Sequence, residues 1–329
     1  MRCVTELRQR IATRRNTRPD NRRSSSRPSP RFRPRLEVLE DRCLPSTLTV
    51  TSAADDGSKG TLRYDLAQAA SGDTIKISPG IHGPIVLTQG ELLVNTDVTI
   101  EANANHPATI SGNNNSRVFE IASRANVTLM NLTLTGGNGV AINPTGTSLY
   151  NGEGGSVLNF GKLTVDNGTV SNSSATYGGG LLSFGTLTMS NSTVSGNSAG
   201  SGGGIFNDGT MTISNSTVSN NSATYLGGGI ENGGDSTLTV SNSTLSDNTA
   251  GWGGGIYNYS YGTATVSGST LSGNSAGYGG AIYNYNYGTM TVDGSTLSDN
   301  TATYSEGAIY NDFFALLYLN NDTFSGNSP

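Results

Sequence analysis

From residue 157 onward, an aliphatic residue follows a glycine-containing turn at Val157, Leu181, Ile205, Ile230, Ile256, Ile282 and Ile309, at steps of 24, 24, 25, 26, 26 and 27 residues. A second column follows at Val165, Met189, Ile213, Val240, Val266, Val292 and Leu319. A third stands five residues after each member of the second, at Val170, Val194, Val218, Leu245, Leu271, Leu297 and Phe324. A unit this short buries nothing alone and is stable only when stacked on copies of itself. Within each unit the polarity alternates with a period of two: in Leu238-Thr239-Val240 the outer residues face in and Thr239 faces out. Glycine clusters, β-branched residues and Asn are poor helix formers. The pattern therefore predicts an all-β chain, a right-handed single-stranded parallel β-helix with three strands per coil and about ten coils. At about 4.8 Å per coil the seven regular coils span about 34 Å.

Composition fits a thin core. Hydrophobic residues make up 34% and charged residues only 13%, with 45 glycines. Low apolar content combined with a low share of charged residues does not read as ordinary disorder, which usually carries high net charge. Two asparagine columns run through them, Asn207, Asn232, Asn258, Asn284 and Asn311, and Asn197, Asn221, Asn248, Asn274, Asn300 and Asn327. A buried Asn at a bend can bond the amide of its neighbour in the next coil, so these are read as structural ladders. The recurring Asn-Ser-Thr sequons, such as Asn191-Ser192-Thr193, follow from the repeated turn and carry no evidence of glycosylation.

The chain divides into residues 1–46, an Arg/Ser/Pro-rich export or targeting leader expected to be disordered, and residues 47–329, the β-helix. Within the latter, 47–150 holds a capping helix and irregular coils, and 151–329 the regular repeats. The leader carries 13 of the 19 basic residues against five acids; the rest carries six against 19. After Lys162 there is no Lys, Arg or His. Aromatic residues are nearly absent among the N-terminal arginines, so nucleic acid is not expected as a partner. Leu62, Leu66 and Ala69 or Ala70 share one helical face, suited to sealing the open end of a solenoid. Strands are then predicted at 74–78, 84–87, 91–102, 108–111, 117–122 and 126–135, with turn residues between them. No run of 18 apolar residues occurs, so no transmembrane helix is expected. Cys3 and Cys43 both lie in the leader, leaving the body without thiols.

Three resemblances add to this reading. Arg33-Pro34-Arg35-Leu36-Glu37-Val38-Leu39-Glu40-Asp41-Arg42-Cys43-Leu44 resembles the LEPLEDR-type leader of large bacterial surface proteins and implies export. Gly60-Thr61-Leu62-Arg63 with Gly72-Asp73-Thr74-Ile75 resembles the opening of bacterial surface β-helix proteins. The repeat resembles those of polymorphic outer membrane proteins and pectin-lyase-like β-helices, most closely at Gly279-Gly280-Ala281-Ile282 and Phe324-Ser325-Gly326-Asn327. It departs from them in having Leu or Val for the Phe in most repeats. The resemblance implies an extracellular or cell-surface, outer-membrane-associated protein with an adhesin-like role.

An enzyme acting on polysaccharide is the alternative. A lyase needs a base and cations to neutralise an acidic substrate, and only Lys59, Arg63, Lys76, Arg117, Arg124 and Lys162 are available, none of them beyond the first regular coil. A hydrolase needs two carboxyls at matched separation. Asp247 and Asp299 share a column two coils apart, Asp208 and Asp312 share one four coils apart, and Asp293 and Asp322 are offset at a turn. None of these forms a cluster, so no catalytic residue is assigned. His82 and His106 are isolated, the Gly-Gly-x-Gly-x-Asp pattern of calcium β-rolls is missing, and neither metal nor cofactor is expected. The feature that points to binding is aromatic. Tyr257, Tyr283 and Tyr310 form an outward column behind Phe206, Tyr259 and Tyr285 a second, and Trp252 and Tyr278 a third. Such rows stack on sugar rings or present an adhesive patch, with carbohydrate or cell-surface components as partners, or else merely brace the sheets. The apolar run 313–319 leaves the final coil uncapped. Closure of that coil on itself, end-to-end self-association or a shortened reading frame would each account for it.

Overall fold

The computed structural model describes residues 44–140 and 150–329. The leader motif and both cysteines fall almost wholly outside these residues. The described chain is a right-handed parallel β-helix whose strands stack into sheets of nine, eleven, ten and six strands, every pairing parallel. In chain order around a coil they are sheet I (Val157–Asn159 and its equivalents), sheet II (Lys162–Asp166), sheet III (Thr169–Ser171) and sheet IV (Ser174–Tyr177). The three aliphatic columns lie in sheets I, II and III, in register from coil to coil. All are fully buried except in the last coil, where Leu319 and Phe324 are exposed.

Sheet IV corrects the expectation of three strands per coil. From Ser198–Ser201 to Thr301–Ala302 its strands place a buried alanine inward, Ala199, Ala223, Ala250, Ala276 and Ala302, with Ala175 half-buried in the first strand. A column of alanines in Ser/Thr/Gly surroundings carries little hydrophobic contrast, which is why it does not stand out in the sequence. Two predicted long strands also divide. Residues 91–102 form Leu92–Val94 and Val98–Glu101, and 126–135 form Asn126–Met130 and Leu132–Thr135, broken where Asn131 turns left-handed (φ 57°).

Both asparagine columns form continuous ladders. Asn248 shows the geometry of one: its Oδ1 accepts the Asn221 amide and Nδ2 at 3.0 Å each, while its Nδ2 donates to Val218 O at 2.9 Å and Asn274 Oδ1 at 3.0 Å. The other runs Nδ2 to Oδ1 from Asn207 through Asn232, Asn258 and Asn284 to Asn311 at 2.7–2.8 Å. A third ladder, of serine hydroxyls, runs Ser192, Ser216, Ser243, Ser269 and Ser295; the first accepts the Gly168 amide and each later one the amide of the serine before it. Asp322 closes it by accepting the Ser295 amide. The turn residues just outside the ladders are left-handed: Asn191, Asn215, Asn242, Gly268 and Gly294 in one column, and Gly196, Asn220, Asp247, Gly273, Asp299 and Gly326 in another. Asp247 and Asp299 thus stand where the backbone demands Asn, Asp or Gly. In the glycine pair Gly253-Gly254, the first has φ 64°, and a Cβ on the second would lie 2.4 Å from the Gly280 carbonyl oxygen.

At the other end, helix α1 (Leu62–Gln68) is capped by Thr61, whose hydroxyl accepts the Tyr64 amide. It packs on Thr47–Val50 and Asp73–Ile77, the end strands of sheet II, burying Leu62 with Leu66 and Ala69 partly covered. Among the described residues no helix is long and apolar enough to cross a membrane.

Candidate functional site

The outer face of sheet I forms the floor of a groove. Its side chains, coil by coil, are Leu93, Glu120, Leu158, Leu182, Phe206, Glu231, Tyr257, Tyr283 and Tyr310. One wall is the end of sheet IV, where Tyr177, Ser201, Leu226, Trp252 and Tyr278 align. The other is the turn leaving sheet I, with Phe160, Phe184, Asp208, Tyr259, Tyr285 and Phe313. The alternation of strands fixes this arrangement: Ile256 and Asn258 point inward, so Tyr257 must point out.

The three aromatic columns come together here. Tyr257 stacks on Tyr283 with ring centres 5.3 Å apart, and Tyr283 meets Tyr310 at 5.2 Å. Tyr259 stacks on Tyr285 at 6.0 Å, which meets Phe313 at 5.3 Å. Tyr278 lies 5.6 Å from Tyr310, and Trp252 pairs in register with Tyr278. A further column, Tyr261–Tyr287–Phe314, stacks at 5.1 and 5.3 Å outside the second. One expectation needs correcting: the floor rings are not an exposed ladder. Tyr257 is 5% and Tyr283 6% exposed, because both walls rise beside them, whereas Trp252 is 38% and Tyr259 37% exposed. Burial and the neighbouring phenols and carboxylates push the Tyr257 and Tyr283 hydroxyls far above the ordinary tyrosine range, so the rings stay neutral. A cleft of 390 Å³ opens between Leu226, Trp252, Tyr257, Tyr283, Tyr285, Asp312 and Phe313.

Two carboxyls that the sequence did not group meet one coil away. Glu231 occupies the floor between Phe206 and Tyr257, is 4% exposed, and its Oε2 has no hydrogen-bond partner. Burial pushes its carboxyl up to about 8; a hydrogen bond with Ser201 opposes the shift and nearby Asp208 adds to it. Asp208 leans over Gly233, where an added Cβ would sit 2.9 Å from its Oδ1, and burial raises its carboxyl as well. Glu231 escaped the sequence reading because its column, Glu120 apart, is apolar or aromatic; the signal was an acid between Phe206 and Tyr257. The other acid pairs stay apart from this site. Asp247 and Asp299 are exposed turn residues, Asp293 accepts Asn320 Nδ2, and Asp322 ends the serine ladder.

The cations are occupied at the opposite end. Arg117 is fully buried, donating to Glu91 Oε2 at 2.6 Å, Glu120 Oε2 at 3.3 Å and the carbonyls of Gly139, Tyr150, Glu153 and Gly154. Arg63 pairs with Asp55 at 2.7 Å and bonds the carbonyls of Gly90 and Glu91. Lys76 pairs with Glu101 at 3.0 Å. Lys59, Arg124 and Lys162 are exposed, as are His82 and His106. Arg63, Glu91 and Glu120 line a 580 Å³ hollow beside α1 at that end of sheet I.

No family model matches the chain, and no curated protein does. Among solved structures it is similar to the crystal structure of pectate lyase Pel9A, with a TM-score of 0.50 and 12% sequence identity over 81% of this chain and 78% of that one. At that identity the likeness shows a shared β-helix fold.

Proposed function

We propose that the chain is an exported, cell-surface β-helix of adhesin-like role whose groove holds a glycan chain without cleaving it. The observation that carries this is the groove at Trp252, Tyr257, Tyr283 and Tyr285, where rings line the floor and both walls. Sugar rings present C–H faces that stack on such surfaces, and rigid rings lose little entropy on binding. The rows repeat along the stacking axis, as a polymer ligand would require. Export rests on the resemblance of residues 33–44 to a surface-protein leader.

The test is a polysaccharide panel with the full chain, scored on the same samples for retention and for release of reducing ends. Retention without release, lost when Tyr257 and Tyr283 are both replaced by Ala, is the expected result. Release of product would overturn it. The second reading, a polysaccharide hydrolase, is favoured by one observation: a carboxyl kept neutral at pH 7, Glu231, next to a second acid, Asp208. Product release abolished by Glu231→Gln would establish that reading instead.

A further inference from the structure

We infer that the aromatic cleft around Trp252 recognises the positively charged amine of an amino-sugar polymer, an inference that rests on the glycan reading of the groove. Trp252, Tyr257, Tyr283, Tyr285 and Phe313 surround the cleft, and Asp312 supplies a carboxylate at its edge. Tyr257 and Tyr283 present stacked floor rings 5.3 Å apart, and Tyr285 stands 5.7 Å from Tyr283 on the wall. A cation is drawn to the negative face of such rings, most strongly where water is excluded. The floor rings, stacked on one another, are nearly buried, so the wall rings Trp252 and Phe313 offer the accessible aromatic surface to the amine and its sugar ring.

The charge of the region selects the same ligand. Between residues 163 and 329 there are ten acids and no Lys, Arg or His, so nothing in the repeats competes for the cleft or neutralises an anionic polymer. Asp312 is held in place: its amide donates to Asn284 O at 3.0 Å and its Oδ1 accepts the Phe313 amide at 2.8 Å. An acidic polysaccharide would meet only repulsion here, and a neutral one would forgo the carboxylate. An amino-sugar polymer uses the stacking surface, the ring faces and the charge together. A polymer also suits a groove that continues past the cleft along sheet I toward Phe206 and Leu182.

Trp252 is the only tryptophan of the chain, so its fluorescence reports on this cleft alone. The full-length protein is titrated with the hexamers of glucosamine, N-acetylglucosamine and glucose at one pH, about 6, and one salt concentration. The expected result is a preference of about tenfold for the glucosamine hexamer, corresponding to about 1.4 kcal/mol from charge recognition. Asp312→Asn, which keeps an acceptor for the Phe313 amide, should remove most of that preference, and tetramethylammonium should compete on the wild-type protein. Equal affinity for the three hexamers would overturn the charge inference and leave the glycan reading standing. A response to tetramethylammonium or to a lysine-rich peptide with none to any sugar would overturn both.

Discussion

Glu231 makes the stability of the groove depend on pH in a direction opposite to that of most carboxylates. Its folded carboxyl titrates at about 8 and its unfolded one near 4.5. Between those values the folded protein holds a proton that the unfolded chain has released. Stability is therefore complete below about pH 4.5, falls as pH rises, and levels off above about pH 8. Each unit of pH removes at most about 1.4 kcal/mol, so the whole window is worth on the order of 3 to 5 kcal/mol once the neighbours relax around a charged Glu231. Glu231→Gln keeps the shape and removes the titration. Urea unfolding followed by Trp252 fluorescence, one coil from Glu231, should show a steep loss of wild-type stability between about pH 5 and 8. The variant should match the wild type near pH 4.5, exceed it increasingly from about pH 5, and lead by the full window of about 3 to 5 kcal/mol at about pH 8.5. Asp208 is present in both proteins, so the difference between them reports Glu231 and its coupling to Asp208. Parallel curves across that range would mean that Glu231 is ionised in the folded groove, and the reasoning would fail.

Four further perturbations test the frame. Asn248→Leu removes four buried hydrogen bonds and strands partners in both adjoining coils, a loss of about 3 to 5 kcal/mol in chemical denaturation. The exposed left-handed Asn242 should tolerate Gly with a change of only a few tenths of a kcal/mol, whereas Ala there costs about 1 kcal/mol, both read from urea midpoints. Arg117→Met leaves Glu91 buried without its partner and should cost about 3 to 5 kcal/mol, read as a lowered melting temperature at neutral pH. Gly254→Ala drives a methyl to within 2.4 Å of the Gly280 oxygen and 2.6 Å of the Ser275 oxygen, both backbone, so thermal melting should show a loss of about 1 to 3 kcal/mol.

Legibility followed side-chain contrast. Val157, Val165 and Val170 stand out against Ser, Thr and Gly, and their equivalents recur, so three sheets could be placed residue by residue. The Asn and Tyr columns were visible for the same reason. The fourth sheet was not, because Ala199 and Ala223 differ too little from their neighbours. Ser192 and Ser216 form a buried ladder but look like any turn serine. For the site, columns told which rings align but not how deep they lie. The depth of Tyr257 comes from walls formed by Trp252 and Tyr259, which lie on opposite sides of the strand in sequence. Glu231 and Asp208 meet across two coils through a tilt of Asp208 over Gly233, a three-dimensional detail with no linear signature.

The drift of the repeat from 24 to 27 residues has a location. From sheet II to sheet III the spacing never changes: Val165 to Val170, Val240 to Leu245, and Val292 to Leu297 are each five residues. The extra residues enter between sheets I and II, where Asn207 to Thr210 becomes Asn232 to Thr237, and around sheet IV, where Ser198–Ser201 becomes Ser222–Leu226. Both places border sheet I, so every change of length falls on a rim of the groove and none on the hydrophobic interior. The solenoid is thus a chassis with one adjustable edge. A rim can be lengthened, shortened or exchanged, coil by coil, while the strands beneath keep their partners, so a new ligand preference can arise without the fold being solved again.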